Sequence, residues 1–216
     1  MPDVADARLY FVCDAARPAK QLAALLEGAL RGGADLIQLR DKDADERRLL
    51  AAAPIFRAAA DGHGALFLIN DRPDLVGPSA ADGVHVGQDD MPVAEARALA
   101  GAGAIVGLSS HGPTQLDTAQ SAAGDARPDY LSVGPVWATP TKPGRPAAGL
   151  DYVRYAAAAA TLPWFAIGGI DAANLREVRD AGAKRVVVVR AIAEASDPEA
   201  AAAGLRSQLE PVGAGR

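Results

Sequence analysis

A (β/α)8 barrel is the fold class that three features of this 216-residue sequence predict. Eight short runs rich in Val, Ile, Leu and Phe recur along the chain. Each leads through a polar or glycine-containing turn into a stretch of helical spacing, and the runs lack strict alternation of polar and apolar residues. Strands that are apolar on both faces are buried on both faces, and helices between them require parallel pairing through crossover connections. Eight such units in a chain of this length suggest a closed TIM-type barrel. The competing class, a doubly wound open sheet, usually has fewer strands and a glycine fingerprint after the first one. Here the first strand leads into Asp14–Pro18, which contains no glycine.

The predicted strands are Leu9–Cys13, Asp35–Leu39, Leu66–Ile69, Gly83–Val86, Ile105–Leu108, Tyr130–Val133, Trp164–Ile167 and Arg185–Val189. Between them lie predicted helices at Ala19–Arg31, Glu46–Asp61, Val93–Ala100, Gln115–Ala123, Tyr152–Thr161 and Ala172–Ala181. A further helix, Pro198–Leu209, follows the last strand, with Asp197 placed as its N-cap and Pro198 suited to its first turn. The alanine runs at 156–160 and 200–203 read as helix filler, because alanine has the best helix propensity. Val136–Asp151 is proline-rich and shows neither helical nor strand period, which predicts a binding loop or lid. A purely structural proline-rich connection is the alternative. No internal linker breaks the pattern, so residues 1–216 read as a single barrel domain with a frayed Pro211–Arg216 end.

Composition narrows the function classes. Twenty-two Lys and Arg against 27 Asp and Glu give a net charge of −5, which argues against bulk attraction to nucleic acid or an anionic membrane. Any anion must be held by a local cluster of basic groups. Cys13 is the only cysteine, which excludes an intramolecular disulfide and comes close to excluding a cysteine-based metal site. The N-terminus lacks the charged start and long apolar stretch of a secretory signal, and no span approaches the roughly 20 apolar residues of a bilayer crossing. A soluble, cytoplasmic protein is the expectation; oligomeric state is not legible, and a homo-oligomer is compatible with the sequence.

Barrel chemistry sits at the C-terminal ends of the strands, and polar residues concentrate there. Strand alternation puts Gln38 and Arg40 on one side, with Lys42 continuing the row onto the loop. A planar guanidinium beside a mobile ammonium suits a ligand with several anionic oxygens. The alternative is a solvated salt-bridge cluster among Arg40, Asp41, Lys42 and Asp43. Asp71 and Asp90 follow adjacent strands, so their carboxylates can meet above the rim as a hard oxygen site suited to Mg2+. An N-cap role for Asp71 and a loop role for Asp90 are the alternatives. Thr139, Thr141 and Lys142 add hydroxyls and a third cation to the same face. Gly168-Gly169 after the seventh strand and Arg190 after the eighth occupy the place where barrels commonly hold a phosphate on backbone N–H groups. His85, between Val84 and Val86, reads as a hydrogen-bonded core histidine; His63 as a cap or surface residue; Cys13 as a small buried apolar residue; and Trp137 and Trp164 as packing. His111 lies just past the fifth strand and stays a site candidate.

Taken in order, Gln38-Leu39-Arg40-Asp41-Lys42, Asn70-Asp71-Arg72, Gly83–Asp90, Gly107-Leu108-Ser109, Gly134-Pro135, Thr139–Lys142 and Ile167–Ile170 make the chain resemble the thiamine phosphate synthase family over nearly its whole length. The resemblance implies a transferase. It would join 4-amino-2-methyl-5-hydroxymethylpyrimidine diphosphate to 4-methyl-5-(2-phosphoethyl)thiazole, or its carboxylated form, and release diphosphate. It places the pyrimidine diphosphate on Gln38, Arg40, Lys42, Asn70, Ser109 and Lys142, of which Arg40, Lys42, Ser109 and Lys142 act in the reaction. It places Mg2+ on Asp71 and Asp90, and the thiazole phosphate on Thr139, Thr141, Gly169 and the backbone around Val189 and Arg190. The chain departs from the family pattern in carrying Asp41 and Asp89 where Glu is frequent, and Arg190 where Ser is common. The alternatives are a related thiazole tautomerase, which uses a histidine in the region of His111, and a noncatalytic phosphate-binding barrel that regulates thiamine metabolism.

Overall fold

Two apolar layers, one inside the barrel wall and one outside it, account for the fold. The protein is seen in a computed structural model that describes residues 3–138 and 146–209. Its parallel strands are β1 (Leu9–Cys13), β2 (Leu36–Leu39), β3 (Leu66–Asn70), β4 (Gly83–Val86), β5 (Ile105–Ser110), β6 (Tyr130–Val133), β7 (Trp164–Ile167) and β8 (Val186–Val188). They pair in sequence order, and β8 returns to β1, so the barrel predicted from the sequence is closed. The helices are α1 (Ala19–Arg31), α2 (Glu46–His63), α3 (Val76–Ser79), α4 (Val93–Ala100), α5 (Pro113–Ser121), α6 (Gly149–Ala159), α7 (Leu175–Asp180), α8 (Arg190–Ala193) and α9 (Pro198–Gln208). None of the described helices is long and apolar enough to cross a membrane.

Side-chain alternation sorts the strand residues into the two layers. Tyr10, Leu36, Leu68, Tyr130, Phe165 and Val187 fill the barrel interior, while Phe11, Ile37, Phe67, Val84, Leu131 and Val188 pack under the helices. Cys13 belongs to the outer layer and is 3% exposed, as a small apolar residue would be. Local chemistry sets the helix ends. Asp45 caps α2 by accepting from the Arg48 N–H at 2.8 Å, and α2 stops at Gly64 in the left-handed region. Asp197 accepts from the Ala200 N–H at 2.9 Å and Pro198 opens α9, as predicted.

Several boundaries differ from the sequence reading. β2 starts at Leu36 because the Asp35 carboxylate turns back to accept from the N–H groups of Arg8 (2.7 Å) and Leu9 (2.9 Å). β5 runs on through Ser109 and Ser110, since both serines are buried and hydrogen-bonded. α7 starts at Leu175, because Asp171 and Asn174 first fold the backbone into side-chain-capped turns. The predicted loop Val136–Asp151 is shorter than expected at its far end, where α6 begins at Gly149. The single-turn helices α3 and α8 were not predicted.

The N-terminal rim repeats one device three times. Asp35, Asp82 and Asp129 precede β2, β4 and β6, and each accepts from a backbone N–H of the preceding strand: Leu9, Phe67 (2.7 Å) and Val106 (2.7 Å). An arginine pairs with each carboxylate: Arg206 with Asp35 (3.0 Å), Arg57 with Asp82 (3.0 Å) and Arg97 with Asp129 (3.1 Å).

Candidate active site

A cavity of about 290 Å3 opens at the C-terminal ends of the strands, the position expected for barrel chemistry. Seven of the residues that the family resemblance places on substrate line it: Gln38, Arg40, Asn70, Ser109, Gly169, Val189 and Arg190. Lys42, Asp71 and Asp90 form a cluster on the loops after β2, β3 and β4. Thr139, Thr141 and Lys142 lie outside the described residues.

The cavity wall offers donors with nothing to donate to. Gln38 ends the inward row of β2 at 2% exposure, and its Nε2 has no hydrogen-bond partner among the described residues. Leaving a buried amide donor unpaired costs about 1–3 kcal/mol, which a ligand acceptor would offset. The Arg40 backbone is pinned by its N–H to the Cys13 carbonyl at 2.9 Å, while its guanidinium has no ion-pair partner among the described residues. The guanidinium of Arg190, at the start of α8, is likewise without a partner there. The alternative salt-bridge cluster around Arg40 does not form. Asp41 instead faces Arg48 at 3.7 Å, and Lys42 reaches Asp71 at 3.0 Å. Arg72 is committed to Asp74 (2.6 Å) and Glu46 (2.8 Å), away from the cavity.

Asp71 and Asp90 are brought together as their spacing implied, and neither caps a helix. Asp71 adopts φ 60, a left-handed conformation that aspartate tolerates better than most residues, and its N–H donates to the His85 carbonyl at 2.9 Å. Burial pushes its carboxyl above the usual aspartate range, Lys42 opposes the rise, and the neighbouring Asp90 carboxylate adds to it. Asp90 Oδ2 accepts from the Gly87 N–H at 2.9 Å, and a Cβ on Gly87 would sit 2.5 Å from that same oxygen. Two adjacent carboxylates, with ionisation of Asp71 made costlier by burial and by its neighbour, make an oxygen-only donor pair that a hard cation would relieve. Among the described residues no group of three or more His, Cys, Asp or Glu forms a fuller cage.

Opposite this cluster, Gly168 (φ 108) and Gly169 (φ 69) let the β7 loop turn across the cavity. Asn174 locks that loop, its Nδ2 donating to the Gly169 carbonyl at 2.7 Å and its Oδ1 accepting from the Asp171 N–H at 3.0 Å. His111 also lines the cavity, with Nδ1 donating to the Gly134 carbonyl at 2.6 Å. His85 is buried and hydrogen-bonded, as a core histidine should be, yet it lines the cavity floor too. His63 pairs with Glu27 at 2.8 Å at the end of α2, on the surface. Sequence reasoning missed Tyr10, Ser132 and Glu194, which also line the cavity, and Tyr130 beneath it. The available signal for Tyr130 was Gly107, its partner in the β5–β6 register.

Fold and site together define the class: a (β/α)8 barrel with a cavity at the C-terminal ends of its strands, lined by two guanidinium groups that have no ion-pair partner among the described residues. The model of the thiamine monophosphate synthase family matches residues 9–192. The chain is 51% identical over 207 residues to the thiamine-phosphate synthase of Acidothermus cellulolyticus, covering 95% of this chain and 96% of that one. It is 52% identical over 204 residues to that of Thermobifida fusca, covering 94% and 92%. Among solved structures, the thiamine phosphate pyrophosphorylase from Pyrococcus furiosus superposes with a TM-score of 0.83 at 31% identity, covering 97% of this chain and 98% of that one. The chain belongs to the thiamine monophosphate synthase family, and the family and function expected from its ordered motifs are borne out.

Proposed function

We propose that this barrel forms thiamine phosphate by joining 4-amino-2-methyl-5-hydroxymethylpyrimidine diphosphate to 4-methyl-5-(2-phosphoethyl)thiazole, or its carboxylated form, in a soluble cytoplasmic setting. The observation that carries this reading is the pair of guanidinium groups, Arg40 and Arg190, that line the cavity without partners among the described residues. They follow β2 and β8, on either side of β1, so one cavity can hold two anionic substrates. Arg40 and Lys42, with Lys142, neutralise the diphosphate, and Gln38 and Asn70 orient the pyrimidine diphosphate. Gly169, the Val189–Arg190 backbone, Thr139 and Thr141 hold the thiazole phosphate, with the Arg190 guanidinium in place of the hydroxyl that a serine would supply.

In this reading the carbon–oxygen bond to diphosphate breaks first, the bonding pair leaving with diphosphate. The pyrimidine methylene cation, stabilised by its ring amino group, is then captured by the thiazole nitrogen to form the new carbon–nitrogen bond. The chain's part is to stabilise negative charge on the leaving group and to hold the nucleophile close enough to exclude water. The Asp71–Asp90 pair fits Mg2+, which typically takes one or two carboxylates plus substrate phosphate oxygens. When bound there, Mg2+ would supply charge neutralisation for the diphosphate.

Incubation with both substrates and Mg2+ should yield equimolar diphosphate and coupled product. Turnover of the thiazole phosphate alone, without pyrimidine diphosphate or metal, would instead favour an isomerase built around His111. Ligand binding without diphosphate release would favour a noncatalytic barrel.

A further inference from the structure

Beneath the cavity five side chains form a hydrogen-bonded line to which the proposed reaction gives no role beyond Ser109. Tyr10 Oη lies 3.2 Å from Tyr130 Oη, Tyr130 Oη 2.8 Å from His85 Nδ1, His85 Nε2 3.0 Å from Ser109 Oγ, and Ser132 Oγ 3.4 Å from Ser109 Oγ. All five residues are more than nine-tenths buried. The line depends on a missing side chain. Gly107 stands in register between His85 on β4 and Tyr130 on β6, and the two rings stack across it with centroids 5.5 Å apart. A Cβ on Gly107 would come within 2.1 Å of the Tyr130 ring. Phe165 and Tyr10 hold that ring edge-on from other sides.

A proton count gives the line a direction. Burial holds both phenols protonated, far above their usual range, so each has one O–H to donate. The Tyr10 hydroxyl has one partner among the described residues, Tyr130 Oη. A buried donor left unsatisfied is rarer and costlier than a spare lone pair, so Tyr10 donates to Tyr130. Tyr130 must then donate to His85 Nδ1, which fixes the neutral imidazole with its proton on Nε2. That Nε2–H donates to Ser109 Oγ, which also receives the Ser132 hydroxyl. The Ser109 proton is thereby left for an acceptor in the cavity that Ser109 lines.

We propose that Tyr10, Tyr130 and His85 are positioning residues that fix Ser109 as a hydrogen-bond donor toward the bound substrate, selecting a ring nitrogen or oxygen there over an amino group. The inference rests on the proposed function only in taking Ser109 as a substrate contact.

Nitrogen NMR of histidine-labelled, ligand-free protein tests the direction without turnover, the His85 signals being those lost in His85→Gln. The expected result is a neutral imidazole protonated on Nε2, and mixed tautomers in Tyr130→Phe. In the coupled assay, Tyr130→Phe should lower kcat/KM roughly three- to ten-fold, the worth of one hydrogen bond, and have no effect in a Ser109→Ala background. Protonation of His85 on Nδ1 or on both nitrogens, or the same loss in both backgrounds, overturns the inference. If the unmodified protein makes no coupled product, the proposed function fails and the imidazole tautomer alone decides this inference.

Discussion

The two rims of the barrel differ in how many of their arginines are paired. At the N-terminal rim Arg57, Arg97 and Arg206 each lie within 3.1 Å of an aspartate that also caps a neighbouring strand. At the C-terminal rim Arg40 and Arg190 face a cavity with no partner among the described residues. The same side chain thus ties the sheet at one end, while at the other Arg40 and Arg190 line the cavity and Arg72 is committed to carboxylates there, Asp74 and Glu46. The difference lies in where the aspartates stand. Those at the N-terminal rim precede strands and bind guanidinium and backbone together, whereas Asp71 and Asp90 follow strands and neighbour each other, with one ammonium, Lys42, paired to Asp71. Paired charges contribute stability at both rims, and at the C-terminal rim the guanidinium groups of Arg40 and Arg190 are left without an ion-pair partner among the described residues.

Substitutions can break this contrast. The largest effect is expected for Arg40→Ala. Loss of one donor to the transition state lowers kcat about 10²- to 10³-fold, roughly 2.7–4 kcal/mol, while the thermal midpoint stays put. A parallel loss of thermal stability, read by calorimetry, would mean that Arg40 is structural after all. Asp82→Ala should do the reverse: a stability loss of about 1–3 kcal/mol in denaturant unfolding, because the Phe67 N–H loses its acceptor and Arg57 loses one of its two carboxylate partners, with kcat unchanged. The smallest effect sharpens the comparison within the C-terminal rim. A carboxyl whose pKa is raised on folding binds its proton more tightly when folded, so the folded state loses stability as pH rises through that range. Asp71→Asn, which keeps a residue suited to positive φ, should therefore raise the melting temperature of chelator-treated protein by a few degrees at neutral pH. That gain should fade as the pH drops below the ordinary aspartate range, even though activity is lost. A gain of equal size at every pH would place the strain elsewhere.

Most of the barrel was legible because each strand is an apolar run too short for a helix, with a helical period following. The one-turn helices α3 and α8 escaped, since four residues carry no period. Ser109 and Ser110 looked like a loop because polarity was read as exposure, yet both are buried. At the site, charge was legible and floor was not. Gln38, Arg40 and Asn70 announced themselves as polar residues closing apolar strands. Tyr10 and Tyr130 read as ordinary apolar strand members, and only the hydrogen bonds of the folded barrel distinguish them. The repeated N-terminal device was also present in the sequence, as aspartates at the constant interval of 47 residues (35, 82, 129), and its meaning emerged only with the arginines that reach them from distant helices.

Gly107 contributes no functional group, touches no proposed ligand and needs no unusual backbone angle, yet the Tyr130 ring, stacked on His85, occupies the volume a methyl would take. A saturation library at that codon should consequently lose turnover at every replacement, alanine included, and second-site revertants should arise at 130, where a smaller residue restores room but not the hydroxyl.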